Sequence, residues 1–141
     1  MSYFLWGSAV VLIILFIISS VKKARLLNEA GQKKQSENII ILNDDNFRKT
    51  IKKGVVLVDF WAPWCTPCRI QNPVISDLAD EFNGKASICK LNVDENKKSA
   101  MRMNIKNIPN IIIFKDGKPA KQLIGVKSKH TLAKAVDSLL D

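Results

Sequence analysis

Residues 55–68 read VVLVDFWAPWCTPC, and the rest of the chain is read outward from them. VVLVDFW at 55–61 is an apolar run broken only by Asp59, the pattern of a β-strand covered on both faces. From Cys65 onward apolar residues recur at Ile70, Val74, Ile75, Leu78, Ala79 and Phe82, a helical stripe that Pro73 is expected to kink. The two cysteines therefore fall where a strand ends and a helix begins. In open α/β sheets that is where chemistry is usually located.

The flanking segments continue the alternation. IIIL at 39–42 reads as a short buried strand. DDNFRKTIKKG follows with acidic residues first, lysines last and Gly54 at its end, a helix that complements its own dipole. ASICKLNV at 86–93 reads as a strand and DENKKSAMRMN as a helix, while IPNIIIFKDGKPAKQLIG reads as two strands joined at Asp116-Gly117. Ser128 then caps a last amphipathic helix with Leu132, Ala135, Val136, Leu139 and Leu140 inward. The expected order is β-α-β-α-β-α-β-β-α: an α/β protein with a mixed central sheet, helices on both faces and an antiparallel edge from the final hairpin.

Upstream the composition changes. Ser2 to Val21 contain no charge, and twenty helical residues rising about 1.5 Å each would cross a hydrocarbon core of about 30 Å. A retained transmembrane anchor over 1–21 and a cleaved signal peptide are the two readings. No Lys or Arg precedes the run and no A-x-A-like site follows Ser19 and Ser20, which favours the anchor. Residues 22–37, KKARLLNEAGQKKQSE, form a basic polar tether, and the folded domain is expected over 38–141. Of the formal charge of +9, the tether holds +3. Basic residues beside a span normally stay cytoplasmic, which places the domain on that side with the short N-terminus outside. The remaining charge is scattered, without an Arg-rich stripe among exposed aromatics, so no nucleic-acid partner is expected.

Three cysteines do not make a disulfide framework. Cys65 and Cys68 could be half of a metal clamp, a structural staple or a redox couple. A structural zinc site needs four ligands, and beyond this pair the chain offers Cys89 and the single His130, so no metal is expected. A staple closing so short a loop gains little from the unfolded state. A redox couple fits better. Cys65 at the helix start would be the exposed, reactive sulfur, and Cys68, one turn on, would resolve a mixed disulfide formed there. Pro67 in the first helical turn lacks only an N–H that would go unpaired anyway. Asp59 is a carboxylate in an apolar strand, which suggests a raised pKa and a role in moving protons. Cys89, in a strand, reads as a small core residue.

VDFWAPWCTPCR, KLNVDEN at 90–96, IPN at 108–110, FKDGK at 114–118 and Gly125 resemble the thioredoxin family in order and spacing, over residues 38–141. The resemblance implies the thioredoxin fold and dithiol-disulfide exchange through Cys65 and Cys68. It also implies that Asp59 helps deprotonate Cys68, that Lys90 neighbours Asp59, and that Ile108-Pro109 is a cis-proline loop whose backbone pairs with a substrate strand. Trp61, Trp64, Pro67 and Gly125 would shape the apolar surface around Cys65. For Lys90 the other reading is a snorkelling edge lysine, for Trp61 a core residue and for Gly125 a strand bulge. Thr66, Pro63 and Asn110 depart from the commonest thioredoxin residues, bearing on redox potential and partner choice.

These readings converge on a membrane-tethered protein disulfide reductase needing no bound cofactor, with disulfide-containing protein substrates and an electron-donating reductase as partners. Two alternatives stay open: an extracytoplasmic oxidoreductase fed by a transmembrane electron donor, and a tethered binding module without turnover.

Overall fold

A computed structural model of the chain describes residues 10–22 and 35–140. The chain divides into two compact units, Met1–Lys34 and Gln35–Asp141. In the first, residues 10–22 are helical, and every apolar side chain from Val10 through Ile18 is exposed, as is Val21. Among the described residues no helix is long and apolar enough to cross a membrane. The expected anchor over 1–21 lies partly, and the tether over 22–37 mostly, outside the described residues.

The second unit contains β1 (Ile40–Leu42), α1 (Phe47–Ile51), β2 (Val55–Trp61), α2 (Thr66–Glu81), β3 (Ser87–Asn92), α3 (Lys97–Arg102), β4 (Asn110–Lys115), β5 (Lys118–Ile124) and α4 (Lys129–Asp137). The sheet order is β1-β3-β2-β4-β5. β1, β3 and β2 run parallel, whereas β4 is antiparallel to β2 and β5 to β4. A helix can cross over between parallel strands, but β4 and β5 are joined by a tight turn at Asp116 (φ 48°) and Gly117 (φ 84°), both in the left-handed region that a hairpin needs.

β2 is the central strand, and its alternating side chains divide the core in two. Val55 and Leu57 pack on one face with Ile75, Leu78, Ala79 and Phe82 of the α2 segment and with Leu132, Ala135 and Val136 of α4. Val56, Val58 and Phe60 pack on the other with Phe47 and Ile51 of α1. Phe47 meets both Phe60 and Phe114 edge to face, at ring-centroid distances of 6.2 and 5.9 Å. A fully buried Leu or Phe contributes roughly 1.5–3 kcal/mol, so a strand walled on both sides can tolerate one unfavourable residue. Asp59 is that residue, on the face covered by α2 and α4.

The helices differ in detail from the expected pattern. α1 is short, and the acidic pair lies ahead of it: the Asp44 carboxylate instead accepts the N–H of Ser99 in α3 at 2.8 Å, and hydrogen bonding from the Ser99 side chain, together with that N–H, holds it below its ordinary pKa. α2 spans 16 residues with Pro73 inside it, so the proline does not end the helix. The folded unit also begins before Asn38, because Ser36 donates its N–H to Ser76 Oγ at 3.3 Å and its hydroxyl to Asp80. Ser128 caps α4 as expected, accepting the N–H of Thr131 at 3.2 Å.

Candidate active site

β2 delivers the chain to the sheet's C-terminal edge at Trp61, and the turn of residues 62–65 lifts it into α2. Cys65 is the N-cap of α2, with extended backbone (φ −84°, ψ 105°). It forms a disulfide with Cys68 across a Cα–Cα distance of 5.2 Å, and its Sγ accepts the N–H of Cys68 at 3.2 Å. The first N–H groups of a helix have no partner within it, so sulfur here faces both a donor and the positive end of the dipole. That setting favours negative charge on Cys65 whenever the bond is opened. The expectation of an openly exposed Cys65 is corrected: it retains only 3% of its surface and Cys68 1%. Ala62, Trp61, Val93 and Ile108 pack around the pair.

Two residues before Trp61 on β2 is Asp59, fully buried, with no hydrogen bond to either carboxyl oxygen among the described residues. Burial pushes its pKa up to about 7, against an opposing pull from Lys90. Lys90 is its register partner on β3. β3 is interior to the sheet and Lys90 is buried, so the snorkelling edge lysine is excluded. Its ammonium donates to Asn72 Oδ1 at 2.7 Å and lies 4.5 Å from the centre of the Trp61 ring. Burial lowers the Lys90 pKa, and Asp59 raises it in part.

The opposite wall comes from the approach to β4. Ile108-Pro109 is a cis peptide bond, and Ile108 packs against the cysteines. The Pro109 carbonyl accepts the N–H of Gly125 at 2.8 Å. Gly125, with φ +82°, sits between the exposed side chains of Ile124 and Val126. Trp64 is 66% exposed and is steadied by its Nε1–H, which donates to Asp94 Oδ2 at 3.0 Å. Thr66 and Pro67 are exposed on the first turn of α2. Cys89 lies on the other face of the sheet, fully buried with Val58 and Leu91, and burial drives its pKa up to about 12. It is remote from this chemistry.

Comparison with known proteins is decisive at this point. The family model "Thioredoxin" matches residues 38–138. The thioredoxin of Staphylococcus haemolyticus is 45% identical over 102 residues, covering 72% of this chain and 98% of that protein. This chain belongs to the thioredoxin family. The thioredoxin of Staphylococcus aureus is 43% identical over the same length and coverage. Among solved structures, a mutant thioredoxin from Halobacterium salinarum superposes with a TM-score of 0.69 at 26% identity, over 77% of this chain and 96% of that one. The mixed sheet flanked by helices is the thioredoxin fold, and the chain is a thiol-disulfide oxidoreductase whose redox pair is Cys65 and Cys68.

All ten residues singled out from the sequence lie in this thioredoxin domain. The cysteines, Trp61 and Ile108 pack together, Asp59 pairs in register with Lys90, and Pro109 is joined to Gly125. The sequence reading missed Asn72, the acceptor for Lys90. It also missed Gln71, a fully buried amide that donates to the Lys127 carbonyl at 3.1 Å and accepts the Lys127 N–H at 2.7 Å, tying α2 to the segment after Gly125. One signal was available for both: two consecutive amides stand in the helical stretch shortly after Cys68.

Proposed function

We propose that this thioredoxin-family chain is a membrane-tethered protein disulfide reductase. The observation that carries the chemistry is a cysteine pair at a helix N-terminus directly after a strand that holds a buried carboxyl group without a hydrogen bond among the described residues. In the reduced form the Cys65 thiolate attacks one sulfur of a substrate disulfide; the Cys65–substrate bond forms, the substrate S–S bond breaks, and the leaving thiolate takes a proton from water. Asp59 then accepts the proton of Cys68. The Cys68 thiolate attacks Cys65 Sγ, the mixed disulfide breaks, and the second substrate sulfur leaves as a thiolate and is protonated. Two electrons pass from the dithiol to the substrate, and the Cys65–Cys68 bond remains. Lys90 stabilises the charge on Asp59 through the field it exerts. The backbone at Ile108 pairs with the substrate strand, while Trp61, Trp64, Pro67, Pro109 and Gly125 form the docking surface. A disulfide-containing protein is the substrate, and a reductase restores the dithiol; no bound cofactor takes part.

The tether reading rests on the uncharged run from Ser2 to Val21 and on the exposed apolar side chains of helical residues 10–22. The basic residues after it support a catalytic domain on the cytoplasmic side, where the redox poise favours reduction. The order of attack is tested by Cys68→Ser. This variant should accumulate mixed disulfides through Cys65 that dithiothreitol releases; a free, reactive Cys65 without adducts would refute the order.

A further inference from the structure

Asn72 follows Cys68 by four residues in α2, so the two share one face of the helix. Lys90 Nζ donates to Asn72 Oδ1 at 2.7 Å, and an ammonium has only donors, so the amide oxygen must be the atom that faces it. The same nitrogen rests 4.5 Å from the Trp61 ring centre, within cation–π range. Lys90 and Asp59 are register partners on adjacent strands, yet among the described residues neither Asp59 oxygen has a hydrogen bond. A flexible ammonium beside a bare, buried carboxyl group would ordinarily turn to it. Here the helix and the indole hold it elsewhere.

We propose that Asn72 is a positioning residue for the redox reaction: together with Trp61 it holds the Lys90 ammonium off Asp59, leaving the Asp59 carboxyl group free to take the proton of Cys68. The inference rests on the reading of Asp59 as that proton acceptor. Its physical basis is the difference between a paired and a bare carboxylate. Paired directly with an ammonium, Asp59 would stay ionised through the neutral range and would be a weak base towards a thiol. Bare and buried, it titrates near neutrality. Lys90 is the charge that faces it from β3. β4 places the uncharged Ile111 opposite it, and on that face of the sheet α2 packs Ile75, Leu78 and Ala79 and α4 packs Leu132, Ala135 and Val136, none of them titratable. The charge state of Asp59 therefore depends on where one ammonium points, and Asn72 sets that direction.

The test is a carboxyl-carbon NMR titration of Asp59 in the oxidised full chain in detergent micelles, beside the pH profile of disulfide reduction. Asn72→Ala, at a half-exposed helical position where alanine is a good helix former, frees the ammonium to turn to Asp59. The Asp59 midpoint should fall by about one unit or more, as expected for an opposite charge brought within about 4–6 Å, and the acid limb of the rate profile should move down with it. Lys90→Met should move the midpoint up, and the double variant should lose the downward shift. Asn72→Asp keeps an acceptor for Lys90 and should show no fall. An unmoved midpoint in Asn72→Ala, or a fall that persists without Lys90, overturns the inference. Failure of the underlying reading looks different: Asp59→Asn would leave the pH dependence of reduction unchanged, whatever the midpoint does in the Asn72 variants.

Discussion

Asp59 is the residue on which stability and chemistry oppose each other. Its carboxyl group titrates near 7 in the folded protein against 3.8 ordinarily, so the folded state holds the proton more tightly than the unfolded state. Its contribution is thus fully present below about pH 4 and is lost progressively as pH rises to about 7, beyond which it levels off. A shift of about three units corresponds to about 4 kcal/mol. Asp59→Asn removes this penalty, so guanidinium unfolding should show it more stable than the wild type by up to about 4 kcal/mol at pH 8, with little difference at pH 4. An equal effect at both pH values would contradict the assignment. The burial of Asp59 and the place of Cys65 at a helix start were legible in the sequence, because an apolar strand pattern around a lone carboxylate and the switch from strand to helix periodicity are both local signals. The depth of Cys65 was not legible, because Ile108 and Val93, which cover it, come from other parts of the chain.

At the scale of elements, α2 is the organising piece, and its two amides act in different directions. Asn72 reaches β3, while Gln71 is joined by two hydrogen bonds to the backbone of Lys127, just past Gly125 and the exposed Val126. Gln71→Met keeps the side-chain volume but strands the part-buried N–H and C=O of Lys127. It should cost roughly 2–4 kcal/mol in chemical denaturation and accelerate amide exchange at Lys127; a loss below about 0.5 kcal/mol would show that the clamp does not fasten this segment. Strand and helix alternation was readable because periodicity reports local burial, and the hairpin because Asp116-Gly117 meets the backbone demands of a tight turn. The partners of Gln71 and Asn72 were not, because contacts spanning 56 and 18 residues depend on how α2 lies over the sheet. The acidic pair before α1 misled for the same reason: Asp44 serves α3, an element far along the chain.

At the scale of the molecule, a thioredoxin domain of ordinary core and topology is joined to an N-terminal segment with exposed apolar side chains. If that segment is an anchor, the full chain should sediment with membranes and resist alkaline carbonate extraction, whereas a chain lacking residues 2–21 should remain in the supernatant. A membrane-impermeant thiol reagent applied to intact cells should leave reduced Cys65 unlabelled until the cells are opened. Ready labelling of intact cells would instead place the domain on the extracytoplasmic face and call for a transmembrane electron donor.

The central claim is that Cys65 and Cys68 turn over protein disulfides. Its most direct measurement is insulin reduction driven by dithiothreitol, with wild-type chain and Cys65→Ser side by side. The account predicts that the wild type accelerates precipitation of the insulin B chain well above dithiothreitol alone and that Cys65→Ser abolishes the acceleration. A wild-type chain no faster than dithiothreitol, or a Cys65→Ser variant that keeps the rate, would contradict it.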